Sequence, residues 1–85
     1  MILEIFAVRD RATDAFGNPM FLQSHGQAIR SFTDEVNRSE KDNPLYQHPD
    51  DFDLYCLGKY DTEFGTFIQD VPPKQILLGK TCAIR

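Results

Sequence analysis

Gly26-Gln27-Ala28-Ile29-Arg30-Ser31-Phe32-Thr33-Asp34 decides how the rest of this chain is read. Ala28, Ile29, Phe32 and Val36 recur at the three- and four-residue spacing that gathers side chains on one side of a helix. Asp34 and Glu35 fall on the opposite side, towards water. Ser24 followed by Gln27 fits a capping box, in which each side chain satisfies a backbone donor at the helix start. The reading is an amphipathic helix from about His25 to Asn37, and its apolar stripe has to be laid on something.

The segments on either side supply the surface. Met1–Arg9 is rich in Ile, Leu, Phe and Val and reads as a strand. Only Glu4 interrupts it, so both faces are expected to be partly covered, as in a central strand. Asp10–Pro19 reads as a loop with Gly17-Asn18-Pro19 as its turn signal. Met20–Gln23 reads as a short second strand. Asp53–Tyr60 and Phe64–Val71 read as a third and fourth, joined through Asp61–Gly65, with Gly65 placed for a left-handed conformation. Val71-Pro72-Pro73 is expected to end the pairing, because proline has no N–H to donate. Lys74–Leu78 then reads as one helical turn closed by Gly79, and Thr81–Ile84 as a last edge strand. The expected fold class is α+β: a small, mostly antiparallel sheet with one amphipathic helix packed on one face. It forms a single domain over residues 1–85, with 39–49 as a polar surface connection and 72–85 as a C-terminal tail.

Eighty-five residues leave room for one such domain. A chain of this size buries roughly 60–65% of its unfolded surface, so modest stability is expected. There is no Trp, and 7 Phe and 3 Tyr must supply the bulk of the core. No run approaches the ~18 apolar residues of a membrane span. Ile2–Val8 is short, contains Glu4 and follows no basic region, so it is not read as a signal peptide; the expected location is the cytosol of the cell that makes the protein. Cys56 and Cys82 then read as reduced, buried thiols. They lack the spacing of a zinc site, and no metal or cofactor is implied. There is no phosphate loop, nucleophile elbow or Cys–His signature, and the chain is read as a non-enzyme.

The formal net charge is −4. Non-specific nucleic-acid binding comes mostly from neutralising phosphates with Lys and Arg, so an acidic chain must cluster its bases on one face to do it. The candidate cations are Arg9, Arg11, Arg30, Arg38, Lys59 and Lys74, and none lies in a run. Tyr55 and Tyr60, on or beside the expected hairpin, are candidates for stacking on bases. Strand alternation places Tyr55, Leu57 and Lys59 on one face and Leu54, Cys56 and Gly58 on the other. The plainer reading makes these aromatics core. Arg30 could grip a phosphate or pair with Asp34 four residues on. His25 and His48 read as structural punctuation, and Asp50 and Asp51 as caps of a short turn before Phe52.

Several stretches also resemble, in order, the small nonstructural protein of gokushovirus-type microviruses, phages with single-stranded DNA genomes. Gly26–Phe32 is similar to that family's "GQAIRSF" helix. Ala15–Phe21 is similar to its aromatic-Pro-aromatic approach. His48–Tyr55 resembles its "HPxDFxL" entry into a strand, and Leu57–Asp61 with Gly65–Phe67 its Gly-bounded hairpin. The resemblance covers residues 1–71. Its members are usually labelled DNA-binding or single-stranded DNA synthesis proteins. It implies a phage accessory of genome replication or packaging in the host cytoplasm, with single-stranded DNA as a partner. The charge points instead to an acidic adaptor that contacts phage replication or capsid proteins. Exposed strand edges add the expectation of a homo-oligomer.

Overall fold

A computed structural model describes residues 1–85. Its centre is β1 (Ile2–Asp10), whose apolar run is flanked on both sides, as expected of a central strand. On one side β1 pairs antiparallel with β2 (Ala15–Phe16) at its end and with β3 (Met20–Leu22) near its middle. The Gly17 N–H donates to the Val8 carbonyl at 2.8 Å between them. On the other side it pairs antiparallel with β4 (Phe52–Asp61), which pairs in turn with β5 (Thr66–Leu78). β2 was not foreseen; it lies within what reads as a loop.

Even-numbered residues of β1 face a helix, α1 (His25–Val36). Ser24 caps it, its hydroxyl accepting from the Gln27 N–H at 3.2 Å. The return bond differs from a full capping box: the Gln27 side chain accepts from the Gln23 N–H instead. Ala28, Phe32 and Val36 are buried against Phe6 of β1 and Phe52, Leu54 and Cys56 of β4. Burying a large apolar side chain contributes ~1.5–3 kcal/mol, and this cluster is the core. Ile29 departs from expectation. The buried stripe runs strictly i, i+4, i+8, which leaves Ile29 on the flank and 38% exposed.

α1 is not the only helical segment. α2 (Pro44–Gln47), a 3-10 turn at Pro49–Asp51 and α3 (Gly79–Cys82) follow. Buried Asn43 ties the connection between α1 and α2 to the helix end. Its amide donates to the Glu35 carbonyl at 2.8 Å and the Arg38 carbonyl at 3.0 Å, and its oxygen accepts from the Leu45 N–H. Asn43→Ala removes all three bonds; the Glu35 and Arg38 carbonyls still accept from the Arg38 and Glu40 N–H groups, but the Leu45 N–H loses its cap, and the expected loss is ~1–3 kcal/mol, read as a lower urea midpoint at unchanged slope. Asn37 holds the other end of the chain, donating to the Cys82 carbonyl and accepting from the Ile84 N–H. No helix is long and apolar enough to cross a membrane.

The C-terminal third corrects three expectations. The prolines do not end β5. Asp70–Pro73 loop out opposite Leu57, between the Gly58–Gln69 and Cys56–Lys74 pairs, and pairing then resumes. Lys74–Leu78 is therefore strand, because Ile76 and Leu77 pack on the core. The helical turn comes later, at Gly79–Cys82, where an edge strand was expected. Gly65 does adopt the left-handed conformation, with φ 64°.

Candidate nucleic-acid interface

Residues directly opposite one another in antiparallel strands point to the same side of the sheet. Leu54 and Cys56 lie under α1, so Tyr55, opposite Ala7, points to the open face. The alternation then breaks at Leu57, where Ile5 pairs with Gly58 and Phe6 with Cys56, leaving one extra residue in β4. Beyond this bulge Tyr60 stands opposite Leu3, on the open face, while Lys59 stands opposite Glu4, on the helix side. Tyr60 thus takes the place on Tyr55's face that simple alternation assigns to Lys59.

Five rings gather on the open face in two groups. Phe16, opposite Arg9, meets Tyr55 edge-on, with centroids 5.3 Å apart. Phe21, opposite Ile5, meets Tyr60 at 5.8 Å, and Tyr60 meets Phe67 at 4.8 Å. A groove of about 360 Å³ runs beside the second group, lined by Ile5, Pro19, Leu57, Ile68 and Pro73 among others. Phe16 and Phe21 were missed as site residues. Their signal lay in β2 and β3 being short partners of β1, which local sequence shows only weakly.

The cations are less gathered. Arg9 shares the open face with Phe16 and pairs with Asp14, which is 80% exposed. Arg11 forms an ion pair with Asp53, its Nε 3.2 Å from Oδ2, and donates through its terminal nitrogen to the Asp50 carbonyl. Asp53 is 1% exposed, and its Oδ1 has no hydrogen-bond partner. Lys59 and Lys74, opposite Glu4 and Cys56, belong to the other face. Arg30 makes no ion pair with Asp34; it lies on the outer face of α1 in a shallow polar groove with Gln27 and Ser31. Arg38 is engaged by Glu35 through two bonds of 2.8 and 2.7 Å. Those bonds hold the Glu35 carboxyl below its ordinary range and raise the Arg38 guanidinium. Burial pushes the Cys56 thiol up, away from the thiolate a nucleophile needs. His25 pairs with Glu4 at 2.9 Å, packed edge-on to Phe6.

The comparisons with known proteins agree with the motifs. The model of a family described as phage ORF5 protein matches residues 3–82. Protein ORF5 of Chlamydia phage 1 is 33% identical over 64 residues, covering 73% of this chain and 67% of that one. No solved structure matches the chain. With nearly the whole fold inside the match, the chain belongs to the phage ORF5 protein family, the small microvirus nonstructural proteins that its motifs resemble.

Proposed function

We propose that this phage accessory protein is a non-enzymatic factor of single-stranded DNA synthesis or packaging. It binds single strands weakly and without sequence preference, at the end of the open sheet face where Phe16, Tyr55 and Arg9 meet. The observation that carries this reading is the adjacency of an exposed ring and an arginine across one strand pair, Arg9 opposite Phe16. A base stacking on an aromatic side chain gains ~1–3 kcal/mol whatever its identity. An ion pair as exposed as Arg9–Asp14 is worth only ~0–1 kcal/mol, so a phosphate can displace Asp14 at little cost. Arg11 is held more firmly by buried Asp53 and supplies a second positive charge nearby. No basic helix is available to enter a major groove, which disfavours duplex.

The test is an anisotropy titration of a labelled single strand and a duplex of equal length at two salt concentrations. Single strands should bind more tightly. With one or two phosphates neutralised, log affinity should fall with log salt at a slope of about −0.7 to −1.4. Arg9→Ala should flatten the slope, and Tyr55→Ala should weaken binding at unchanged slope. Lys59→Ala and Lys74→Ala, on the other face, should change neither. A second reading is favoured by the scatter of the remaining cations and the −4 charge: an acidic adaptor contacting replication or capsid proteins without touching DNA. Absence of single-strand binding even at low salt decides for it.

A further inference from the structure

The second aromatic group has no arginine or lysine on its own face, Lys59 lying on the other, and a different observation bears on it. Phe67 and Ile68 of the edge strand β5 are 66% and 58% exposed; Phe67, opposite Tyr60, points to the open face and Ile68, opposite Lys59, to the other, while Phe21 on the open face is 43% exposed, Phe64 in the hairpin loop 75% and Val71 in the Asp70–Pro73 bulge 79%. At ~200 Å² per large side chain these five leave roughly 600 Å² of apolar surface, spread along the β5 edge and over both faces of the sheet. That is about a tenth of the chain's 5521 Å²; against the ~800 Å² that each partner contributes to a standard interface, only an edge-to-edge contact, which takes in both flanks of the strand, draws on both faces of it.

We infer that a second copy of this chain meets this edge, with the Thr66–Asp70 edges of two β5 strands pairing about a two-fold axis, Phe67 and its copy flanking the contact on one face and Ile68 and its copy on the other. Three features select a copy of itself. β5 has a neighbour on one side only, so its outer main-chain groups are unpaired. An antiparallel strand edge is complementary to itself, which suits the same patch on both partners. Pro72 and Pro73 cannot donate and interrupt the edge, so strand pairing is confined to the Thr66–Asp70 half, the half flanked by Phe67 and Ile68. Charge agrees. Two chains of net −4 repel, and this surface, whose groove includes only Asp70 as a charged lining residue, is where they can approach with least repulsion. The Phe16–Tyr55 end stays outside the contact, so a dimer would present two nucleic-acid sites and gain avidity from them.

Sedimentation velocity on the full chain from ~1 to ~100 µM tests this over the range in which a modest interface dissociates. The mass should rise towards twice 9.8 kDa. Phe67→Asp and Ile68→Asp should each weaken association at least ~10-fold, as centrally placed contacts do, while Phe16→Asp should leave it unchanged. Because a variant can fail for lack of folding, hydrogen exchange of the wild-type chain gives a second reading: amides of Thr66–Asp70 should slow as concentration rises. A wild-type chain of 9.8 kDa throughout, or association without added protection at Thr66–Asp70, overturns the inference. DNA binding that fails while the dimer persists overturns only the nucleic-acid reading.

Discussion

Phe32→Ala is expected to lower the unfolding free energy by ~3–5 kcal/mol, the usual cost of removing a buried phenyl ring. Phe32 is 4% exposed in the middle of the buried stripe of α1, between Ala28 and Val36 and against the Phe6–Leu54–Cys56 side of the sheet. Ala28 is too small to fill the space, and Phe6 and Leu54 are fixed by strand pairing, so collapse into the gap is limited. A domain of this length has ~4–13 kcal/mol of stability in all. The variant therefore sits near the edge of folding, and urea melts followed by far-ultraviolet dichroism should show a midpoint shifted far to low denaturant. A midpoint equal to the parent's would mean that α1 is not held by this stripe. Since α1 lies on the face opposite Phe16 and Tyr55, whatever fraction remains folded should bind single strands as the parent does.

The helix was legible because its signals are local: a capping Ser24, a period of four in Ala28, Phe32 and Val36, and acids facing water. β1 was legible from its unbroken apolar run, and the antiparallel α+β class followed from both. What escaped depends on partners distant in sequence. Alternation holds from Phe52 to Cys56 and fails at Leu57, because β4 must match the register of β1 on one side and of β5 on the other. No property of Leu57 itself announces that. The rule that proline ends a strand lost to burial: Ile76 and Leu77 reach the core only if pairing resumes after the bulge. The same cause hid half of the candidate site. Arg9 and Tyr55 stand out as residue types in a strand, whereas Phe16 sits in a polar stretch and becomes a site residue only through its pairing with Arg9.

Gly58→Ala is expected to cost at least ~3 kcal/mol and to open the far end of the sheet. Gly58 has φ 146°, where an L side chain carries a strain of ~1–3 kcal/mol. The added methyl group would also collide with the Ile68 carbonyl oxygen and come within 3.1 Å of the Gln69 Cα. Both are main-chain atoms of β5, so no side-chain rotation relieves the contact and the strand itself must shift. Gly65→Ala is the control: φ is 64° there but nothing lies within 4 Å, and only about 1 kcal/mol should be lost. The damage in Gly58→Ala should concentrate beyond the bulge. Hydrogen exchange at Ile68 and Gln69 should accelerate and self-association should fall, while the Phe52–Cys56 segment stays protected under α1. Single-strand binding at Phe16 and Tyr55 should survive in the folded fraction. A Gly58→Ala chain that melts and associates like the parent would mean that β4 runs without its bulge. Lys59 would then rejoin Tyr55's face.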